Sequence, residues 1–240
     1  MQARSNEPSR IAPQRRFIVL LIALLLVLVI TPVWRLLAPA STPGAARVVV
    51  AIVFMIMLVA AGYAVGRSVR MLIVASTLAA LVGVLQILVL LIDGPGVRAA
   101  NQLATILFVG YLITQGLRYL FTVHTVTMDT IAASLCIYIL LGLLWSSVFT
   151  LTEILVPGSF AFAYAEEVQP GRFGDPGSGA ALYYSLVTLS TLGYGDVVPT
   201  SPSARLFAAI EAIIGQAYLA VIVARLVGLQ IAGRVANQGR

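Results

Sequence analysis

The chain has few of the side chains on which enzymes and secreted domains depend. Its 240 residues include one cysteine, Cys136, and one histidine, His124, and all fifteen basic residues are arginine. A lone thiol cannot close a disulfide within the chain, and the sequence supplies neither a metal-ligand cluster nor a partner for the lone histidine. We therefore expect neither enzymatic activity nor a cofactor.

Charge is also scarce. Only 10% of the residues are charged and 60% are hydrophobic, a composition typical of a chain dissolved in lipid. A helix needs about 20 apolar residues to cross a hydrocarbon core of about 30 Å. The apolar runs predict an all-α membrane protein with six transmembrane helices, at 17–38, 48–66, 71–92, 99–121, 130–155 and 204–231. The first run resembles a signal peptide but is long enough to be a retained anchor.

The arginines predict the orientation of these helices. If the helices alternate in direction, ten of the fifteen arginines fall on one side, and most acidic residues fall on the other. The positive-inside rule then places both termini in the cytoplasm of a multi-pass plasma-membrane protein. The net charge of +6 is explained by these flanks and by attraction to anionic lipid, so we expect lipid and no nucleic acid as a partner.

A glycine-rich segment near the C-terminal end carries the chemistry. Residues 188–196 are TLSTLGYGD, and they lie between the last two apolar runs. A cation that leaves water needs oxygens to replace its hydration shell, and backbone carbonyls supply them when successive groups point the same way. That arrangement alternates right- and left-handed backbone, which costs least at glycine, so Gly193 and Gly195 suit it. Thr191 adds a hydroxyl oxygen at the inner end, while Leu192 and Tyr194 are expected to pack into the surrounding protein.

The longer segment SLVTLSTLGYGDVVP resembles the pore loop of the potassium channel superfamily, whose filter is usually Thr-Val-Gly-Tyr-Gly followed by aspartate. Leu192 stands in place of the usual valine, which keeps an apolar side chain and the same number of carbonyls. The resemblance implies a homotetramer that conducts K⁺ through a filter at 191–195. It also implies K⁺ binding by the backbone carbonyls of Thr191, Leu192, Gly193 and Tyr194, with Gly195 completing the filter.

The same resemblance divides residues 130–232 into a pore domain. It implies an outer helix at 130–155, a turret loop at 157–179, a re-entrant pore helix at 180–190 and an inner helix at 204–231. Ser178 is an acceptable N-cap for the pore helix.

Side chains around the filter are expected to support it. Members of the family often carry an aromatic cuff where this chain has Tyr183 and Tyr184, packed against Tyr194 of the same or a neighbouring subunit. Some bacterial members place a carboxylate at the position of Val187 to pair with the aspartate after the filter, so Asp196 here needs another partner. The expected supports are Tyr183, Tyr184, Thr188, Ser190 and Asp196.

The inner helix contains two candidate gating residues. Gly215 lies where the family has a hinge glycine, and the alternative is a close helix contact that requires a small residue. Glu211 is an ionisable side chain in a membrane helix and hence a functional candidate. It either faces the water-filled cavity or lies behind the filter, hydrogen-bonded to Ser185, Thr188 or Ser190. Repulsion among four close carboxylates favours the second placement.

The remaining parts of the chain predict little regulation of their own. Residues 17–121 form a four-helix domain whose fourth helix holds only Arg98 and Arg118, so we expect weak voltage dependence. A linker at 122–129 and short tails at 1–16 and 233–240 leave no room for a ligand-sensing domain. The expected function is a potassium-selective channel subunit; the alternatives are a nonselective cation channel and a nonconducting regulatory subunit.

Overall fold

A computed structural model describes residues 16–37, 69–92, 94–163, 173 and 179–238. The predicted span at 48–66 and most of the turret lie outside these residues. The described residues form six helices and two short strands in this order: α1 Arg16–Leu37, α2 Val69–Ile92, α3 Pro95–Thr122, α4 Met128–Leu155, β1 Phe160–Phe162, α5 Ala180–Leu189, β2 Val197–Pro199 and α6 Pro202–Gln238.

Four of the described helices are long and apolar enough to cross a membrane: α2, α3, α4 and α6. Helix α4 has 28 residues and therefore a length of about 42 Å, which exceeds a hydrocarbon core of about 30 Å. Helix α5 has 10 residues and a length of about 15 Å, half of that thickness. The predicted inner helix at 204–231 is longer than expected, since α6 continues to Gln238.

Helix α4 is the centre of the packing. Helices α1, α3, α5 and α6 all pack against it, and α2 packs against α3. The shared core contains Phe108 and Leu112 of α3, Ile137 and Leu140 of α4, and Leu20 of α1, all at most 2% exposed. A helix that is apolar on every side can be covered in this way, since each face finds an apolar neighbour.

Asp129 joins three of these helices at one end of the bundle. Its Oδ1 accepts the backbone N–H of Phe17 at 3.1 Å, and its Oδ2 accepts the Tyr119 hydroxyl at 3.3 Å. The rings of Phe17 and Tyr119 are stacked with centroids 4.6 Å apart. Asp129 lies in the first turn of α4, where the helix dipole favours a negative charge. The N-terminal helices are thus fastened directly to α4.

The sequence predicted a loop over residues 157–179, but part of this region forms a strand. Strand β1 pairs antiparallel with β2, with Phe160 opposite Pro199 and Phe162 opposite Val197. Glu153, near the end of α4, accepts the backbone N–H of Gly158 at 2.9 Å and so fixes the entry to β1. The pair holds the chain that leaves residues 191–195 against the chain that leaves α4.

Candidate functional site

The backbone of residues 191–195 alternates in handedness. Thr191, Gly193 and Gly195 have φ values of 57°, 58° and 75°, and they are separated by Leu192 and Tyr194, whose φ values are not positive. The two glycines adopt this region at little cost, whereas a left-handed threonine costs about 1–2 kcal/mol. The expected alternation therefore includes Thr191, which the sequence analysis did not identify as a left-handed position because threonine rarely adopts one.

The start of this segment is tied to the last turn of α5. The backbone N–H of Thr191 donates to the Thr188 carbonyl at 2.9 Å, and that of Leu192 donates to the Val187 carbonyl at 2.9 Å. Thr188 thus supports the segment through its main chain. Ser190 instead donates its hydroxyl to the Leu186 carbonyl at 2.7 Å, within α5.

The side chains that were expected to pack into protein are exposed on the single chain. Leu192 is 55% exposed and Tyr194 is 64% exposed. Neither is therefore covered by the described residues of its own chain.

Asp196 finds its partner on α5. The Tyr183 hydroxyl donates to Asp196 Oδ2 at 2.7 Å, and the backbone N–H of Val197 donates to Oδ1 at 3.0 Å. The hydrogen bond to Asp196 is the main reason that the pKa of Tyr183 is raised to about 12, with smaller contributions from burial, the Asp196 charge and Tyr194. Asp196 is therefore paired with Tyr183 and not with a carboxylate at position 187, where this chain has valine. A single sequence does not reveal this change of partner.

Tyr184 has a different role from the cuff that was expected. It is 5% exposed and packs edge-to-face against Phe149, Phe160 and Phe173. This cluster lies between α4, β1 and α5, so Tyr184 anchors α5 to α4 and β1 within the chain. The prediction that Ser178 is the N-cap of α5 was wrong. The N-cap is Gly179, which has a φ of 65° and offers no side chain to cap the helix.

Three residues within about one and a half turns of α6 contact α5 and the segment 191–195. Glu211 is fully buried, with Oε1 2.5 Å from Ser185 Oγ. At Gly215, a Cβ would lie 2.2 Å from the Leu189 carbonyl oxygen, so only glycine fits. Gln216 Nε2 donates to Thr191 Oγ1 at 3.0 Å. Of the two expected placements of Glu211 the structure has the one behind the filter segment, and Gly215 lies in a close contact.

Gln216 is a contact that the sequence analysis missed. It follows Gly215 directly and points about 100° away from it around the helix, towards Thr191 instead of towards α5. A polar side chain in an apolar helix beside two candidate residues was the available signal.

Comparison with known proteins supports a channel in this part of the chain. Residues 149–229 match the family described as Ion channel. The chain is 40% identical over 47 residues to Two pore potassium channel c of Oryza sativa subsp. japonica, which covers 20% of this chain and 10% of that protein. No solved structure matches. The family match confirms the prediction that the chain is not an enzyme, and residues 191–195 lie within the region that matches the ion channel family.

Proposed function

We propose that the protein is the subunit of a potassium-selective channel in which four copies surround one axis and K⁺ passes passively through residues 191–195. The backbone alternation at Thr191, Gly193 and Gly195 carries this proposal. It is the conformation that turns successive carbonyls towards one line, where they can replace the water around K⁺. The carbonyls of Thr191, Leu192, Gly193 and Tyr194 are the proposed ligands, and no cofactor is required.

The exposure of the filter segment supports assembly. One subunit supplies carbonyls on one side of an ion only, so several copies are needed to surround it. Leu192 and Tyr194, which are more than half exposed, are placed to pack against neighbouring subunits. Fourfold cyclic symmetry uses one identical interface for every contact.

The proposed membrane topology has six spanning helices with α5 as a re-entrant pore helix, and both termini in the cytoplasm of the plasma membrane. Apolar side chains exposed on α2, such as Ile73 and Leu91, suit contact with lipid. With both termini in the cytoplasm, α4 ends and α6 begins on the outer side, so the short α5 enters from that side and the proposed filter opens towards it. The described part of α3 carries only Arg98 and Arg118, and we expect fewer than about three gating charges per subunit.

Bilayer recording of the purified protein under opposed K⁺ and Na⁺ gradients tests the proposal. The reversal potential is expected near the potassium equilibrium value. Gly193→Ala forces alanine to a φ of +58° and should abolish selectivity or current. Gly96→Ala is the matched control, because its added Cβ also meets nothing within 4 Å but its φ is not left-handed.

The rival functions give different recordings. Equal permeability to K⁺ and Na⁺ in the wild type would support a nonselective cation channel. Silence from well-folded wild-type protein, together with assembly into channels of another subunit, would support a nonconducting regulatory role. A gating charge above about three per subunit would contradict the expected weak voltage dependence.

A further inference from the structure

Glu211 and Ser185 form a buried cluster that reaches a third helix. Ser185 Oγ lies 2.5 Å from Glu211 Oε1 and 2.7 Å from the backbone carbonyl oxygen of Gly142 on α4. Both side chains are 0% exposed. The Ser185 oxygen on α5 thus lies within O–H···O hydrogen-bond distance of one oxygen on α6 and one on α4.

Two hydrogen bonds need two hydrogens. The Ser185 hydroxyl carries one, and the Gly142 carbonyl carries none. An ionised carboxylate is an acceptor only, so with Glu211 charged one of the two short contacts would join two oxygens without a hydrogen between them. A protonated Glu211 supplies the missing hydrogen: it donates to Ser185, and Ser185 donates to Gly142.

The second carboxyl oxygen supports the same protonation state. Glu211 Oε2 is buried and has no hydrogen-bond partner among the described residues. Because Glu211 is already fully buried within one subunit, a neighbouring subunit cannot reach that oxygen. An orphaned carbonyl oxygen of a neutral acid is much less costly than an orphaned oxygen of a buried carboxylate.

The titratable groups that face Glu211 give its charge no compensation. They are the phenols of Tyr138 on α4 and Tyr184 on α5, both of which are uncharged in the neutral range. In the part of the chain that the structure describes, no basic side chain is hydrogen-bonded to the carboxyl group.

We propose that Glu211 is a proton-binding site behind the filter, occupied in the conformation described here, and that it fastens α6 through Ser185 to the main chain of α4. Loss of the proton removes the donor to Ser185 and leaves a charge between the helices. The packing of α5 against α6 then weakens near Leu189 and Thr191. Glu211 is therefore a positioning residue whose state depends on pH.

The consequence for the current rests on the proposed function. As the pH rises and Glu211 loses its proton, the potassium current of the wild type should decline. Glu211→Gln supplies a similar donor from an amide that has no dissociable proton, so this variant should lose the alkaline decline. Glu211→Ala lacks the donor at every pH.

Infrared difference spectroscopy of the purified full chain at neutral pH tests the protonation state without any current. Wild type minus Glu211→Gln should show the C=O stretching band of a protonated carboxylic acid. Asp129→Asn is the matched control, because Asp129 accepts two donors and its loss should remove carboxylate bands instead. If Glu211→Gln does not fold, ¹³C-labelled glutamate in a Glu153→Gln protein tests for the same band by its isotope shift, because Glu153 also has a buried carboxyl oxygen without a hydrogen-bond partner among the described residues.

The outcomes separate the two proposals. Loss of a carboxylate band in Glu211→Gln, or no ¹³C-sensitive acid band in the Glu153→Gln protein, overturns the proton site; a water donating to Oε2 would give this result. A protonated band in a protein that never conducts K⁺ leaves the site intact and refutes the proposed channel. A potassium current in a protein whose Glu211 is ionised supports the proposed channel and overturns the proton site.

Discussion

Gly215 offers a direct test of how the inner helix is seated. A Cβ at this position would lie 2.2 Å from the Leu189 carbonyl oxygen and 3.0 Å from Leu189 Cδ1. The backbone oxygen cannot rotate away, because it belongs to the last turn of α5. Gly215→Ala therefore has to move α6 away from α5 by about 1 Å before the contact becomes an ordinary one.

The size of the effect follows from the neighbouring contacts. Overpacking costs about 1–3 kcal/mol. A shift of about 1 Å also stretches the bond between Gln216 and Thr191 from 3.0 Å beyond hydrogen-bond range, a loss of about 1 kcal/mol. Alanine returns about 1 kcal/mol through its helix propensity. The net destabilisation is about 1–3 kcal/mol per subunit, and the filter loses a support.

Thermal unfolding in detergent and the permeability ratio of K⁺ to Na⁺ measure these two effects. Gly228→Ala is the control in the same helix, since its Cβ meets nothing within 4 Å, and it should be neutral or slightly stabilising. Gly142→Ala is intermediate, because its Cβ meets the flexible Leu186 Cδ2 at 2.7 Å. Equal behaviour of Gly215→Ala and Gly228→Ala in both assays would refute the close-contact role of Gly215. If Gly215→Ala changed only the open probability of the channel, the hinge interpretation of Gly215 would be supported instead.

Three further changes test the supports of the site. Gln216→Ala removes the donor to Thr191 Oγ1, and we expect a loss of about 1 kcal/mol in unfolding experiments and a lower permeability ratio of K⁺ to Na⁺. The pKa of Tyr183 is raised from an ordinary 10.0 to about 12, so its hydrogen bond to Asp196 contributes fully below pH 10.0 and is lost as the pH rises through about 12. In an ultraviolet titration, Tyr183→Phe should lose one phenol that ionises near pH 12 in the wild type. Arg225 donates to three carbonyls at and beyond the end of α3, and Arg225→Met should lower thermal stability by about 2–3 kcal/mol.

Each of these predictions has a defined contrary result. An unchanged permeability ratio in Gln216→Ala would show that Thr191 does not need the amide. A difference titration of wild type minus Tyr183→Phe that shows no phenol with a pKa near 12 would refute the raised pKa of Tyr183. Arg205→Met is the control for Arg225→Met, because Arg205 is exposed and donates to the Pro199 carbonyl at 3.2 Å, and its loss should stay within about 0.5 kcal/mol. Equal losses in the two arginine variants would contradict the capping role of Arg225.

Local sequence patterns were sufficient for the helices and the filter segment. The pore helix was expected at 180–190 and is observed at Ala180–Leu189, and the outer helix was expected at 130–155 and is observed at Met128–Leu155. Apolar run length and the glycines at 193 and 195 depend on neighbours within a few residues, so a single sequence contains that information. The six-helix count stays a prediction, since the span at 48–66 lies outside the described residues.

The contacts around the filter depended on residues far apart in the chain. The partner of Asp196 proved to be Tyr183, and Tyr184 turned to the aromatic cluster on α4 and β1 instead of Tyr194. Adjacent tyrosines on a helix point about 100° apart, and the packing of α5 decides which one faces the filter. The β1–β2 pair was missed for a similar reason, because its two strands are three residues each and are separated by the pore helix.

The sequence by itself determined the membrane class, the positions of the described helices and the segment whose backbone alternates in handedness, because these follow from composition and from short-range backbone preferences. Only the tertiary structure decided what the polar side chains do. Ser185 lies 43 residues from Gly142 and 26 from Glu211, and the three meet because α4, α5 and α6 pack closely at Gly142 and Gly215. A hydrogen-bond partner is fixed by where two helices cross, and that geometry depends on the whole packed surface instead of on either residue alone.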